Sequence, residues 1–181
     1  ENDMGQYFKA YVENSASKSL GKMMEFGYMH QSYVATICTM IYQNPQIVAF
    51  VGDYASGNKA YDVAWNQGNE ELDMNINLIE DINKMYLVNH SKKEYVYLKD
   101  YYELNNDVKH NRCMHPLALL ASIGNDENSG GNYPLWFTSE ENSKLVGSWA
   151  LDHISIEKQK DDFISAKYNE LAPRFPLLFD N

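Results

Sequence analysis

The sequence predicts an α+β domain: a long N-terminal helix packed on an antiparallel five-stranded sheet, with a further helix closing the chain. Three observations carry that expectation. Apolar or small residues recur every three or four positions from Met4 to Ile41, the stripe of an amphipathic helix. From Met85 onward the period drops to two, the spacing of a strand. After Glu157 helical spacing returns, through Phe163, Ala166 and Leu171.

The chain has 181 residues, 44% of them hydrophobic and 13% aromatic. That suffices for one core, so a single domain with an appended helix is expected, divided as 1–43 stalk helix, 44–172 folded domain and 173–181 tail or linker. The 15 basic and 25 acidic residues leave a formal charge of −10. Such a surface repels phosphate backbones and anionic bilayers, which argues against nucleic acid as a partner. No window reaches 18 apolar residues, so membrane attachment is expected only through an anchor preceding Glu1. Of the two cysteines, Cys38 falls in the first helix and Cys113 in a polar loop, and pairing and free thiols are equally compatible with their positions.

In chain order, the first helix carries Val12, Ala16, Leu20, Met23, Phe26, His30, Val34, Ile37 and Ile41 on one face, and would run roughly 50–55 Å. That exceeds what one core requires, so residues before Val12 are expected to protrude as a stalk while Lys18 to Ile41 pack on the sheet. Pro45 ends the helix by restricting Asn44. Gln46 to Val51 reads as a second helix or an extended segment, Gly52 to Asn58 as a loop, and Lys59 to Asn83 as two helical pieces broken near Gly68. Met85–His90 and Glu94–Lys99 form a hairpin around Ser91-Lys92-Lys93. Tyr101 to His115 reads as a connecting loop. Leu117 to Ile123 fits a buried strand or a helical turn, Gly124 to Asn132 is a loop, Pro134 to Thr138 a strand and Leu145 to Ile156 a long strand. Glu157 to Leu171 is the closing helix, stopped by Pro173 and Pro176.

Two strands, a connecting segment and three strands behind a leading helix is the order of PAS-like sensor modules. With Asn44-Pro45-Gln46-Ile47-Val48-Ala49-Phe50-Val51 near the end of the long helix and a hairpin after it, the chain resembles the extracytoplasmic Cache sensor domains of bacterial chemoreceptors and histidine kinases. The resemblance implies a small-molecule-sensing domain of a membrane-bound receptor, placed outside the cytoplasm. It implies a ligand seated between the sheet and the segment Tyr101 to His115, and a homodimer through the first helix. The amino-acid-binding members carry an Arg-x-Trp pair, whereas here Arg112 is followed by Cys113 and Met114, so that specificity is not implied.

The expected ligand site draws Tyr95 and Tyr97 from the hairpin, and Tyr101, Tyr102, Arg112 and His115 from the connecting segment. Trp136, Trp149 and Asp152 complete it from the last strands, giving an apolar wall with a few polar handles. Strand alternation puts Trp149, Leu151 and His153 on one face and Asp152 and Ile154 on the other. Ordinary core packing is the competing account of these aromatics.

Other constellations are weaker. His110, Cys113 and His115 are all competent metal ligands, but their spacing matches no common structural zinc site. Asp126, Asn128 and Gly130 resemble the start of a calcium loop, yet the twelfth position is Phe137 where a carboxylate is required. Adjacent acids such as Glu70-Glu71, Glu140-Glu141 and Asp161-Asp162 read as solvated surface. No phosphate-binding glycine loop or nucleophile elbow is present, so neither a catalytic centre nor a cofactor is expected. The alternative reading is an acidic binding protein. Asn125 to Trp136, with Gly130-Gly131-Asn132-Tyr133, is similar to the glycine-rich strand connection of Smi1-like toxin-immunity proteins, and the charge suits a basic partner.

Overall fold

The computed structural model describes residues 7–13, 18–19, 24–25, 32–66, 77–100, 115–124, 144–163 and 167–171. It is α+β, built on one mostly antiparallel sheet whose path runs β2-β1-β4-β8-β5-β6-β9. The strands are β1 (Tyr7–Val12), β2 (Lys18–Ser19), β3 (Met24–Glu25), β4 (Gln46–Gly52), β5 (Tyr86–Asn89), β6 (Glu94–Tyr97), β7 (Ser122–Ile123), β8 (Asp152–Glu157) and β9 (Asn169–Glu170). β3 pairs with β1 off that path, and β7 pairs with β4 in parallel.

The long N-terminal helix is corrected by this arrangement. Tyr7–Val12 is a strand, hydrogen-bonded to β4 from Phe8 opposite Gly52 to Val12 opposite Val48, and among the described residues the first helix is α1 (Ser32–Met40). Phe8, Ala10 and Val12 enter the main core on one face, while Lys9 and Tyr11 are buried on the other. Of the residues expected to protrude as a stalk, Phe8 to Tyr11 are therefore inside, and the helical surface assigned to a homodimer is absent over 7–12. The physical reason is that aromatic and β-branched residues fit a pleated sheet at least as well as a helix. A strand covered on both sides also shows no polar alternation to betray it.

β4 is buried on both faces for the same reason: Val48 and Phe50 point into the main core, Ala49 and Val51 to the opposite side. On the first face lie α1, through Val34, Ile37, Cys38 and Ile41, and α3 (Pro116–Leu120), whose five residues are all buried. His115 caps α3, its Nδ1 accepting the Leu117 N–H at 3.0 Å, and Pro116 stands at the first helical turn where a missing donor costs nothing. On the second face, α2 (Lys59–Tyr61) continues as a π-helical turn over Asp62–Asn66 and covers β1 and β4 with Ala60, Val63 and Ala64. Asn58 starts it by accepting the Tyr61 N–H at 2.7 Å.

The hairpin expected from Met85 to Lys99 is present as β5 and β6, with Tyr86 opposite Tyr97 and Val88 opposite Tyr95. The long strand expected over 145–156 is shorter. β8 starts at Asp152, after turns that pass through Gly147 at φ 73° and Leu151 at φ 65°. The closing helix is also corrected. A 3-10 turn at Lys160–Asp162 and strand β9, with Lys167 at φ 58° between them, replace it. Gln46 to Val51, left as helix or extended, is extended, and Leu117 to Ile123 is a helix followed by a two-residue strand. Strands β1 and β4 lie on one side of β8 and the hairpin on the other, so β8 joins the two halves of the sheet. Among the described residues, no helix is long and apolar enough to cross a membrane.

Candidate functional site

The hairpin and β8 meet in a polar seam whose two sides are chemically different. On the side of the main core, Asn89 is fully buried and its side-chain amide makes three hydrogen bonds. Its Oδ1 accepts the N–H groups of Ser91 and Lys92, both at 2.9 Å, and its Nδ2 donates to Asp152 Oδ2 at 2.8 Å. Lys92 closes the turn by an ion pair with the same Asp152 oxygen. Next to it, Trp149 is 0% exposed and donates its indole N–H to Glu94 Oε1 at 3.1 Å.

The opposite side carries a directed hydrogen-bond chain. Ser155, buried in β8, donates its hydroxyl to Glu157 Oε1 at 2.7 Å. A hydroxyl has one proton, so at its 2.7 Å contact with His90 Nε2 the serine oxygen is the acceptor and the imidazole is protonated on Nε2. His90 Nδ1 is then an acceptor and receives the Tyr168 hydroxyl at 3.0 Å. Every donor points along the line Tyr168, His90, Ser155, Glu157. Burial, with a smaller contribution from neighbouring His153, holds the His90 pKa below its usual value and favours this neutral tautomer. The serine proton is committed to the carboxylate, so the His90–Ser155 contact runs opposite to the direction needed to activate a serine nucleophile.

Beside this chain stands an aromatic wall. Tyr86 and Tyr97 stack nearly parallel, 4.6 Å apart with 11° between ring planes, and both are half-buried. Tyr95 meets Tyr86 edge-on at 6.0 Å and Phe163 at 5.1 Å, and Phe163 lies 5.7 Å from Tyr168. Lys160, fully exposed, holds its ammonium 5.6 Å from the Tyr95 ring centre. Its hydrogen bond to Tyr95, then the electrostatic influence of that tyrosine, raise its pKa. Burial and the neighbouring Tyr97 raise that of Tyr86.

Of the residues expected from sequence to form a ligand site, Tyr95 and Tyr97 lie in this wall, while Tyr101, Tyr102, Arg112 and Trp136 lie outside the described residues. Trp149 and Asp152 come together on the core side of the seam, so the alternation that set them on opposite faces is corrected: Trp149 belongs to the turn before β8. His115 is buried, 3% exposed, and occupied as the α3 cap, with burial pushing its pKa down to about 3. Its companions in the candidate metal cluster, His110 and Cys113, lie outside the described residues, among which no group of three or more His, Cys, Asp or Glu could hold an ion. Cys38 is a free, buried thiol. Sequence reasoning missed Tyr86, His90, Ser155, Glu157, Lys160 and Tyr168. Hairpin register could have found Tyr86, which faces Tyr97, and strand alternation the pair Ser155 and Glu157.

Comparison with protein-family models, curated proteins and solved structures finds no match to this chain.

Proposed function

We propose that this chain is a ligand-binding module whose site is the tyrosine and histidine face of the hairpin. The observation that carries the reading is the half-buried Tyr86–Tyr97 stack beside a directed polar chain ending at Tyr168. An apolar wall flanked by a few oriented polar groups is the usual make-up of a small-molecule site. The Tyr168 hydroxyl gives its proton to His90 and so offers a ligand an acceptor. Asp152 and Trp149 support this site from the other side of the sheet by fixing the hairpin turn. The wider setting, a small-molecule sensor of an extracytoplasmic signalling receptor, comes from the resemblance and not from this fold. With β1 inside the sheet, a signal would have to pass through strand and turn rather than along a stalk. Thermal-shift screening of amines, amino acids and organic acids tests the reading: hits abolished by Tyr97→Leu support it, and no stabilisation across the panel counts against it.

A second reading, an acidic protein that neutralises a basic partner such as a toxin, is favoured by the charge of −10. Salt-sensitive capture by a basic nuclease supports it, and capture that persists unchanged at high salt does not.

A further inference from the structure

We propose that the tyrosine face binds an organic ammonium group, and that the Lys160 ammonium occupies the site until such a ligand arrives. This rests on the ligand-binding reading above and names the class of ligand. The structure places a cation against these rings already: Lys160 Nζ lies 5.6 Å from the Tyr95 centre, within the range at which a ring quadrupole attracts a positive charge. A hydrogen bond to Tyr95 and the electrostatic influence of Tyr95, Glu170 and Tyr86 all raise the Lys160 pKa, so this face favours a positive charge. Glu157 lies opposite Tyr86 in the β5–β8 register and brings a second carboxylate to that region. Negative ring faces and two carboxylates disfavour an anionic ligand.

Lys160 suits the part of a displaceable occupant. It is fully exposed and stands on a three-residue 3-10 turn, Lys160–Asp162. Its side chain gains rotational freedom when it leaves the rings. A methylated ammonium has the advantage in exchange, because it spreads its charge over apolar methyl groups and gives up less hydration than a lysine does. Aromatic clusters are the general solution for recognising such cations. The net charge of −10 raises the local concentration of any cationic ligand at low salt.

Titration with choline chloride at constant ionic strength, followed by NMR of the tyrosine ring signals, tests the proposal, with 3,3-dimethylbutan-1-ol as the uncharged isostere. Choline is expected to perturb Tyr86 and Tyr97 saturably, and the isostere to bind about two- to five-fold more weakly, the range of an exposed cation–ring contact. Lys160→Ala removes the competitor and is expected to tighten choline binding by a similar factor, while Tyr97→Leu weakens it. Equal response to the isostere overturns the ammonium assignment and leaves the ligand-binding reading standing. Unchanged or weaker choline binding in Lys160→Ala overturns the role given to Lys160. Saturable binding to neither compound overturns the proposal, and the broad thermal-shift panel then decides the ligand-binding reading independently.

Discussion

His115 gives the sharpest handle on the energetics of this fold. It is 3% exposed, its Nδ1 receives the Leu117 N–H, and burial holds its pKa at about 3 in the native chain against 6.5 ordinarily. The unfolded chain therefore takes up a proton at this imidazole near pH 6.5, while the folded chain does not until about pH 3. Between those values the unfolded state binds more protons, so native stability rises with pH and is lost on acidification. The slope is about 1.4 kcal/mol per pH unit below 6.5, or about 2 kcal/mol between pH 7.5 and pH 5. Asparagine at 115 keeps an acceptor for the α3 cap and cannot titrate in this range. Urea unfolding of the wild type and of His115→Asn, at pH steps from 5 to 7.5, isolates the contribution. A constant offset between the two proteins reflects the smaller side chain, and the difference in slope belongs to His115. Parallel pH profiles, or an NMR titration placing His115 near 6.5, would refute the argument.

Four other outcomes are expected. Removing the donor that stabilises neutral His90, by Tyr168→Phe, raises the His90 pKa, and His153→Asn raises it by deleting a repulsive neighbour; NMR of the imidazole Cε1–H reads both. Burial pushes the Cys38 thiol up to about 12 from 9.0, which lowers its thiolate fraction about a thousandfold near pH 8; a thiol reagent should label Cys38 only under denaturing conditions. Asn89→Ala deprives two turn amides and Asp152 of their partner and should cost about 1–3 kcal/mol in urea unfolding. Trp149→Ala should cost about 3–5 kcal/mol, while Trp149→Phe, which keeps most of the ring and loses the bond to Glu94, should cost clearly less.

The hairpin was legible because its two runs alternate and Ser91-Lys92-Lys93 between them is polar, although nothing in a lysine announces the φ of 55° at Lys93. The N-terminal run was not. Phe8 and Val12 fit a helical spacing as well as a strand's, and the alternate residue Ala10 is small enough to pass in either pattern. What decides for a strand is pairing with β4 and cover by Val63 and Ala64, both set by residues far along the chain. Trp149 looked like a strand residue because the run Leu145 to Ile156 is apolar and β-rich, and only the left-handed geometry at Gly147 and Leu151 breaks it. A leucine there carries no turn signature, so local chemistry could not reveal the break. The aromatic wall was half visible: Tyr95 and Tyr97 stand out in sequence, while Phe163 and Tyr168 were absorbed into a helical pattern that the 3-10 turn and β9 displace.

β8 has a consequence for how the chain comes to be folded. It pairs Gln46 with Ile154 on one side and Leu87 with Ile156 on the other, so the strand uniting both halves of the sheet is synthesised after both of its partners. During synthesis the hairpin and the β1–β4 pair exist with their β8-facing edges open, a state prone to wrong pairing. Such long-range closure slows folding. Productive assembly is accordingly a late event, and a chain cut before Asp152 would keep the parts of the sheet without the strand that makes them one body.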